Sequence, residues 1–362
     1  MCVNMGRKRG KPMQDFLNKR IENLRQYMLH NEFDAVLITT PANMRYFSNF
    51  TGEGYVLVTN SKLVIVTDFR YTEQARQQSV DFDVFDSIDF DLKEFSKGFK
   101  KTGFENQSIS YSAYKRFSDK IPFLSELDDA LTNFRAVKSD EEIELISRAE
   151  HIGDTAFSHI LDYIKPDVSE RDIALEIEFF MRKNGAEALS FDTIVATGAH
   201  GAMPHAEPDE RKISKGDFVV LDFGCKYKGY CSDMTRTVCV GKASEEMKKV
   251  YNTVLKAQLT SLDMLSAGIN PSDVHKNALN IIDELYPKSF GHSLGHGVGL
   301  EIHENPTLSL KNTTLLKSGN VVTVEPGIYL NGFCGVRIED VAVICDDGIQ
   351  NITKSDKNLI EL

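Results

Sequence analysis

Two segments in the C-terminal half of the chain resemble each other, and this internal repeat constrains the fold more than any other feature. GDFVVLDFG at 216–224 aligns with GNVVTVEPG at 319–327, and the constant offset of 103 residues sets Asp222 against Glu325. Each copy has the β-branched pattern of a strand, ends in a carboxylate, and is followed by a turn and a second strand. The repeat therefore predicts two β-hairpins of matching design.

A second acidic residue lies beyond each predicted turn. Asp222 and Asp233 are placed symmetrically about the turn of the first copy. Glu325 and Glu339 are placed symmetrically about the second turn, at 331–332, where Asn-Gly favours a tight hairpin. The two acidic residues of each pair are therefore expected to lie opposite each other, or nearly so, on one face of their hairpin, with Cβ atoms roughly 5 Å apart.

Four carboxylates in this arrangement indicate a metal site. Like charges opposed across a ladder destabilise it, and close carboxylates raise one another's pKa unless a cation compensates them. A single Asp-x10-Asp spacing is more typical of a solvated strand end, so the prediction of a metal site depends on the repeat. Four carboxylates and one histidine suit two divalent ions; the oxygen-rich set favours Mn²⁺, with Co²⁺, Fe²⁺ or Zn²⁺ as alternatives.

The histidine of this set lies in a glycine-rich segment, FGHSLGHGVGLEIHENP at 290–306, which holds three of the nine histidines of the chain. Glycines on both sides of His296 allow close approach of the backbone and leave the imidazole accessible. His292 and His303 are also compatible with structural roles. The segment contains neither HExxH nor GxxxxGK[ST], which excludes a thermolysin-type zinc site and a Walker phosphate loop.

The first third of the chain alternates short β-rich runs with helical patterns, which is typical of an α/β domain. Strands are predicted at 35–39, Tyr55–Thr59 and Leu63–Thr67, and helices at 15–30 and 70–78.

After about residue 135 the sequence shows the start signals of longer helices. Ser139 and Glu142 form a capping box, and a second helix is predicted after Ser169. The prediction is an α+β protein of two domains, 1–134 and 135–362.

Composition excludes several functions. The chain is 41% hydrophobic and 26% charged, with a net charge of −11, which argues against a nucleic-acid partner. No apolar run reaches the length of a membrane span. Residues 1–11 are basic but no apolar stretch follows, so no secretory signal is predicted, and Met13 is a candidate start. The six cysteines contain no CxxC pair, and free thiols in a reducing cytoplasm are expected.

Several of these segments resemble the signature of the pita-bread metallopeptidases, and within that group the proline-specific branch of aminopeptidase P and prolidase. The matching motifs are LDFG at 221–224, SDMTRT at 232–237, GHGVG at 295–299, VEPGIY at 324–329 and VRIED at 336–340. In the N-terminal part, NMRYF at 43–47 and TDFRY at 67–71 look like the creatinase/prolidase N-terminal domain, and RAVKS at 135–139 like the junction.

The resemblance implies a role for each metal ligand. Asp222 and Asp233 would chelate one ion, with Asp233 bridging to the other. His296 and Glu325 would complete the shell of the second ion, and Glu339 would bridge the two.

The resemblance also implies residues that act on the substrate. His205, His292 and His303 match the substrate-side histidines of the family. Arg337 matches an arginine that supports the site electrostatically, with an ordinary strand ion pair as the alternative. Glu325 is the candidate that takes a proton from water and returns it to the leaving nitrogen.

The implied activity is hydrolysis of the bond between the first residue and a proline in short peptides by a cytoplasmic homodimer. An Xaa-Pro aminopeptidase is favoured slightly, with an Xaa-Pro dipeptidase as the alternative. A methionine aminopeptidase, a metal-free creatinase and a catalytically inactive binding module of the same fold are the remaining rivals. The last two would not retain all five ligands.

Overall fold

A computed structural model describes residues 13–362, so the expectations for residues 1–11 lie outside the described part of the chain. Its contacts divide the chain into two compact units, one that ends at Arg135 and one that spans Ala136–Leu362.

The N-terminal unit is built from six helices and six strands within the described residues. The helices are α1 (Met13–His30), α2 (Pro41–Ser48), α3 (Thr72–Gln78), α4 (Leu92–Phe95), α5 (Tyr111–Ser118) and α6 (Ala130–Ala136), whose last residue crosses the division. The strands are β1 (Ala35–Ile38), β2 (Tyr55–Thr59), β3 (Leu63–Thr67), β4 (Asp83–Asp86), β5 (Thr102–Phe104) and β6 (Leu124–Glu126).

These strands form one mixed sheet in the order β4-β3-β2-β1-β5-β6. The predicted strands β1, β2 and β3 lie side by side, and their aliphatic side chains are buried except for the half-buried Leu63. The predicted helices are confirmed as α1 and α3. Strand β4 escaped prediction because its sequence, DVFD, alternates exposed with half-buried positions and lacks an apolar run.

The C-terminal unit contains four α-helices and thirteen strands. The helices are α7 (Asp140–Ile160), α8 (Glu170–Lys183), α9 (Glu245–Met264) and α10 (Pro271–Asp283). The strands are β7 (Ala188–Leu189), β8 (Ile194–Thr197), β9 (Phe218–Phe223), β10 (Cys225–Tyr227), β11 (Tyr230–Cys231), β12 (Met234–Cys239), β13 (Gly295–Gly297), β14 (Glu304–Leu308), β15 (Val321–Val324), β16 (Gly327–Leu330), β17 (Cys334–Arg337), β18 (Asp340–Cys345) and β19 (Gly348–Asn351).

The two repeat copies form the centres of two sheets. Strands β9 and β12 belong to the order β12-β9-β8, and β15 and β18 to the order β14-β13-β15-β18-β19. These four strands are buried along their whole length. Helices α7 and α8 share a hydrophobic core with the first sheet, and α9 and α10 share one with the second. The capping box at Ser139 and the helix start at Ser169 are confirmed.

The cysteines follow the expectation only in part. Cys225, Cys231, Cys239 and Cys334 are buried free thiols. Cys345 is disulfide-bonded, which the sequence did not predict. Among the described residues, no helix is both long and apolar enough to cross a membrane.

Candidate metal centre

The register of the first hairpin differs from the predicted one, because the residue opposite Asp222 is two positions beyond Asp233. Asp222 pairs with Thr235 across β9 and β12, and Phe223 pairs with Met234. Asp233 precedes β12 and lies two residues from Thr235. Because side chains alternate along a strand, Asp222 and Asp233 still share one face, as diagonal neighbours and not as a directly opposed pair.

The second hairpin has the predicted register. Val324 pairs with Asp340, and Gly327 pairs with Arg337. Glu325 and Glu339 lie between these two pairings, one on each side of the hairpin, at positions related by the same symmetry.

His296 is brought to the carboxylates by strand β13, which pairs with β15. The approach is so close that a Cβ at Gly295 would lie 2.0 Å from the carbonyl oxygen of Thr323. The imidazole Nδ1 lies 3.1 Å from the carbonyl oxygen of Gly297, which accepts its proton when Nδ1 is protonated. Nε2 then keeps its lone pair and lies 3.5 Å from Asp233 Oδ2 and 3.4 Å from Glu325 Oε1.

Three of the five proposed ligands meet around one point. Asp233, His296 and Glu339 each offer one ligand atom, and these atoms all lie within 4.8 Å of one another. Glu325 extends the group through His296, and Asp222 is near enough for its charge to affect the pKa of Asp233, Glu325 and Glu339. The structure thus brings all five predicted ligands together.

The electrostatics of this group favour a bound cation. Burial raises the pKa of Asp233 and of Glu339 well above the usual range, and the neighbouring carboxylates raise both further. Burial also raises the pKa of Glu325 to about 8, against the lowering effect of Arg337. Asp222 Oδ1 is buried and has no hydrogen-bond partner among the described residues. Buried carboxylates that repel one another and an unsatisfied oxygen together fit divalent metal ions.

Burial also makes His296 suitable as a metal ligand. Burial, followed by the influence of His303, lowers the pKa of His296 to about 4. The imidazole is therefore neutral at physiological pH, which is the form that binds metal ions.

Arg337 joins the two hairpins beside this cluster. Its guanidinium forms a buried ion pair with Asp222 Oδ2, and Nε donates to Thr235 Oγ1 at 3.1 Å. The Thr235 hydroxyl in turn donates to Glu339 Oε2 at 2.7 Å, and Arg337 Nη1 donates to the Tyr329 hydroxyl at 2.9 Å. Arg337 was predicted from the sequence, whereas Thr235 and Tyr329 were not, although both fall within motifs of the resemblance.

The three predicted substrate-side histidines lie at different depths. His292 is half-buried, its Nε2 lies 2.9 Å from the Tyr329 hydroxyl, and burial lowers its pKa to about 4. His303 is exposed and packs edge-on against His296, with ring centroids 4.4 Å apart. His205 is also exposed, and its charge contributes to the lowered pKa of both His292 and His303.

The pattern of ligands on paired hairpins agrees with the comparison to known families. A model of "Metallopeptidase family M24" matches residues 144–346, more than half of the chain. The chain belongs to metallopeptidase family M24. A second model, the "Creatinase/Prolidase N-terminal domain", matches residues 20–137. The α+β class is confirmed, with a creatinase/prolidase-like N-terminal domain followed in the sequence by a pita-bread catalytic domain.

Several M24 relatives carry descriptions of activity. A solved structure of an Xaa-Pro dipeptidase from Bacillus anthracis is 43% identical and superposes with a TM-score of 0.92; the match covers 96% of this chain and 100% of that one. The Xaa-Pro dipeptidase of Pyrococcus furiosus is 37% identical over 353 residues, covering 95% of this chain and all of that protein.

A solved structure of an X-Pro aminopeptidase from Thermotoga maritima is also similar, with 36% identity, a TM-score of 0.87 and coverage of 95% and 100%. Dipeptidases and prolidases nevertheless predominate among the relatives that carry a named activity. They support the dipeptidase alternative better than the aminopeptidase that the sequence analysis favoured.

One buried residue of this M24 site has no signal in the sequence. Glu150, on α7, accepts a hydrogen bond from the backbone nitrogen of Asp233 at 2.8 Å. Burial raises its pKa to about 8. It is separated from Asp233 by 83 residues, and neither the spacing nor the local pattern connects the two.

Proposed function

We propose that this M24 metallopeptidase is an Xaa-Pro dipeptidase that hydrolyses the bond before proline in short peptides, most of all in dipeptides. The observation that carries the proposal is the buried cluster of four carboxylates and one neutral histidine, which belongs to a chain whose named relatives are mainly Xaa-Pro dipeptidases. Peptides are the substrates of this family; the restriction to proline is the proposal.

Five side chains would hold two divalent ions. They are Asp222, Asp233, His296, Glu325 and Glu339. The group of Asp233, His296 and Glu339 is compact enough for one ion, and Glu325 and Asp222 extend it in a way that favours a second. The hard carboxylate oxygens favour Mn²⁺, with Co²⁺, Fe²⁺ or Zn²⁺ as alternatives.

Bound divalent ions supply water that is deprotonated at neutral pH and a Lewis acid for the scissile carbonyl. The side chains of the chain itself have separate tasks. Glu325 takes the proton of the attacking water on a carboxylate oxygen and gives it to the nitrogen of the leaving proline. His205 and His303, which are exposed next to the cluster, bind and orient the substrate carbonyl.

Arg337 and His292 hold this arrangement in place. Arg337 fixes Asp222 by its ion pair, so that one carboxylate oxygen is held and the other, Oδ1, stays available. Tyr329 connects Arg337 to His292 through one hydroxyl group.

Proline bonds suit a dedicated enzyme. Proline has no backbone N–H and a fixed φ, so peptidases that bind an extended backbone through that N–H handle it poorly. A methionine aminopeptidase would not be expected to carry the creatinase/prolidase domain matched at residues 20–137. An Xaa-Pro aminopeptidase is the second candidate, favoured by the likeness to the Thermotoga maritima structure.

A comparison of Gly-Pro with Gly-Pro-Ala, after loading with Mn²⁺, separates the two candidates. We expect kcat/KM to be at least about tenfold higher for the dipeptide, since discrimination acts through differential binding in the transition state. Gly-Ala controls for the requirement for proline. Faster cleavage of Gly-Pro-Ala would make the protein an aminopeptidase, and equal cleavage of Gly-Ala would remove the proline assignment.

The homodimer and the cytoplasmic location that were expected from the sequence stay predictions.

A further inference from the structure

The last residues of the chain connect the two hairpins that carry the proposed ligands. After β19 the chain continues as residues 353–362, which we call the C-terminal strap. It begins beside β18 of the second hairpin and ends beside β12 of the first. The match to the M24 family model ends at residue 346, before the strap begins.

The strap starts at a buried threonine that reaches a metal ligand through one intermediate. The Thr353 hydroxyl donates to Glu150 Oε2 at 3.0 Å and accepts from the Val341 nitrogen at 2.9 Å. The other oxygen of Glu150 accepts from the backbone nitrogen of Asp233 at 2.8 Å. Thr353 is 4% exposed and Glu150 is fully buried, so these bonds are shielded from bulk solvent. Thr353 therefore fixes the carboxylate that fixes Asp233.

The middle of the strap contacts the residues around Glu339. Arg236 donates to the backbone carbonyl oxygens of Ser355 at 2.8 Å and Asp356 at 3.0 Å. The same guanidinium donates to the backbone carbonyl oxygen of Glu339 and pairs with the buried Asp340 at 2.7 Å.

Lys357 adds a second contact to this region. Its Nζ lies 2.5 Å from Asp340 Oδ2, on a carboxylate whose other oxygen binds Arg236. Asp340 directly follows Glu339, so the strap holds the backbone on the C-terminal side of that ligand.

The end of the strap pairs with the first hairpin. The Cys239 nitrogen donates to the carbonyl oxygen of Ile360 at 2.9 Å, and the Leu362 nitrogen donates to that of Cys239 at 2.8 Å. Cys239 is the last residue of β12, which begins directly after Asp233. The strap is thus bound at both ends to the strands that follow two of the ligands.

We propose that the C-terminal strap is a positioning element of the metal centre, which sets Asp233 through Thr353 and Glu150 and sets Glu339 through Arg236 and Asp340. The proposal rests on the metal centre described above. No residue of the strap is among the five proposed ligands; the strap limits the positions that these ligands can take. Loss of its hydrogen bonds allows Asp233 to shift and weakens metal binding without removing any ligand.

Substitution of Thr353 tests the proposal. Thr353→Val keeps the shape of the side chain but removes its hydroxyl, whereas Thr353→Ser keeps the hydroxyl. We expect Thr353→Val to weaken Mn²⁺ binding about tenfold, as changes in the partners of metal ligands commonly do. The absorption spectrum of the Co²⁺-loaded protein should change as well. Both are measured on the full-length protein, with circular dichroism to show that the fold is retained.

Two matched variants define the comparison. Thr353→Ser should bind Mn²⁺ within about twofold of the original protein, because the positioning hydrogen bonds remain. Lys242→Met removes an exposed ion pair to Glu361 within the strap and has no connection to the ligands, so it should change neither affinity nor spectrum. If Thr353→Val binds Mn²⁺ with unchanged affinity and an unchanged Co²⁺ spectrum, the strap is only structural and the proposal is wrong.

A second variant covers the case in which Thr353→Val does not fold. Lys357→Met removes the contact to Asp340 from a side chain that is 22% exposed. It should lower Mn²⁺ affinity in the same direction, and unchanged affinity would overturn the proposal. Failure of the proposed function is a separate result, since it would appear as absence of Mn²⁺ binding or of Gly-Pro cleavage in the unmodified protein.

Discussion

The carboxylates of the proposed metal centre differ in the protein group that each one contacts. Asp222 is paired with Arg337, Glu339 accepts from Thr235, and Glu325 accepts from Thr323 at 3.2 Å. Each therefore has one oxygen bound by the protein. Glu325 has the weakest of these contacts, which agrees with a carboxylate that must both contact a metal ion and exchange a proton.

Substitution of Glu325 by glutamine tests this role. The amide keeps the size of the side chain but cannot accept a proton, so kcat for Gly-Pro should fall by at least about 100-fold. Asp162→Asn, an exposed change just after α7, is the control and should leave kcat unchanged. Near-normal turnover in a folded Glu325→Gln protein would leave Glu325 without a catalytic role.

At the scale of elements, the turns explain which part of the site could be predicted. The second hairpin has a three-residue loop between Leu330 and Cys334, centred on Gly332. The positions of Glu325 and Glu339 predict this same centre. In the first hairpin, Tyr227 pairs with Tyr230 around a two-residue turn in which both Lys228 and Gly229 have positive φ. This turn is centred between Lys228 and Gly229, one residue beyond the centre between Tyr227 and Lys228 that the two aspartates predict. The spacing of the aspartates alone could not reveal this shift.

Strand β17 depends on a close backbone contact that can be tested alone. A Cβ at Gly335 would lie 1.7 Å from the carbonyl oxygen of Gly201, in the 3-10 helix Gly198–Ala202. Gly335→Ala should therefore lower the free energy of unfolding by about 1–3 kcal/mol. Gly291→Ala, where nothing lies within 4 Å of the added Cβ, should change it by less than about 0.5 kcal/mol. Urea denaturation measures both, and equal stability of the two variants would contradict the contact.

At the scale of the whole molecule, local patterns revealed the ligands but not their supports. The ligands repeat at fixed spacings, so the sequence shows them. Glu150 and Arg236 act on Asp233 and Glu339 across 83 and 103 residues, and such contacts exist only once the chain has folded. The choice between two proline peptidases was also beyond the sequence, because both use the same ligand set.

Metal removal should affect stability and activity together. Exhaustive chelation should abolish Gly-Pro cleavage, and Mn²⁺ or Co²⁺ should restore it. Ions that bind only the folded state stabilise it by about 2.7 kcal/mol at a hundredfold excess over Kd, so the metal-free protein should also melt at a lower temperature. Chelator saturated with Ca²⁺ is the control. Full activity in demonstrably metal-free protein would contradict metal dependence.

Anomalous X-ray diffraction from crystals of active protein grown with Mn²⁺ tests the metal centre most directly. Data collected at the manganese absorption edge should give two peaks among the side chains of Asp222, Asp233, His296, Glu325 and Glu339. Absence of any anomalous peak among these five residues, in protein that cleaves Gly-Pro, would contradict the proposed centre.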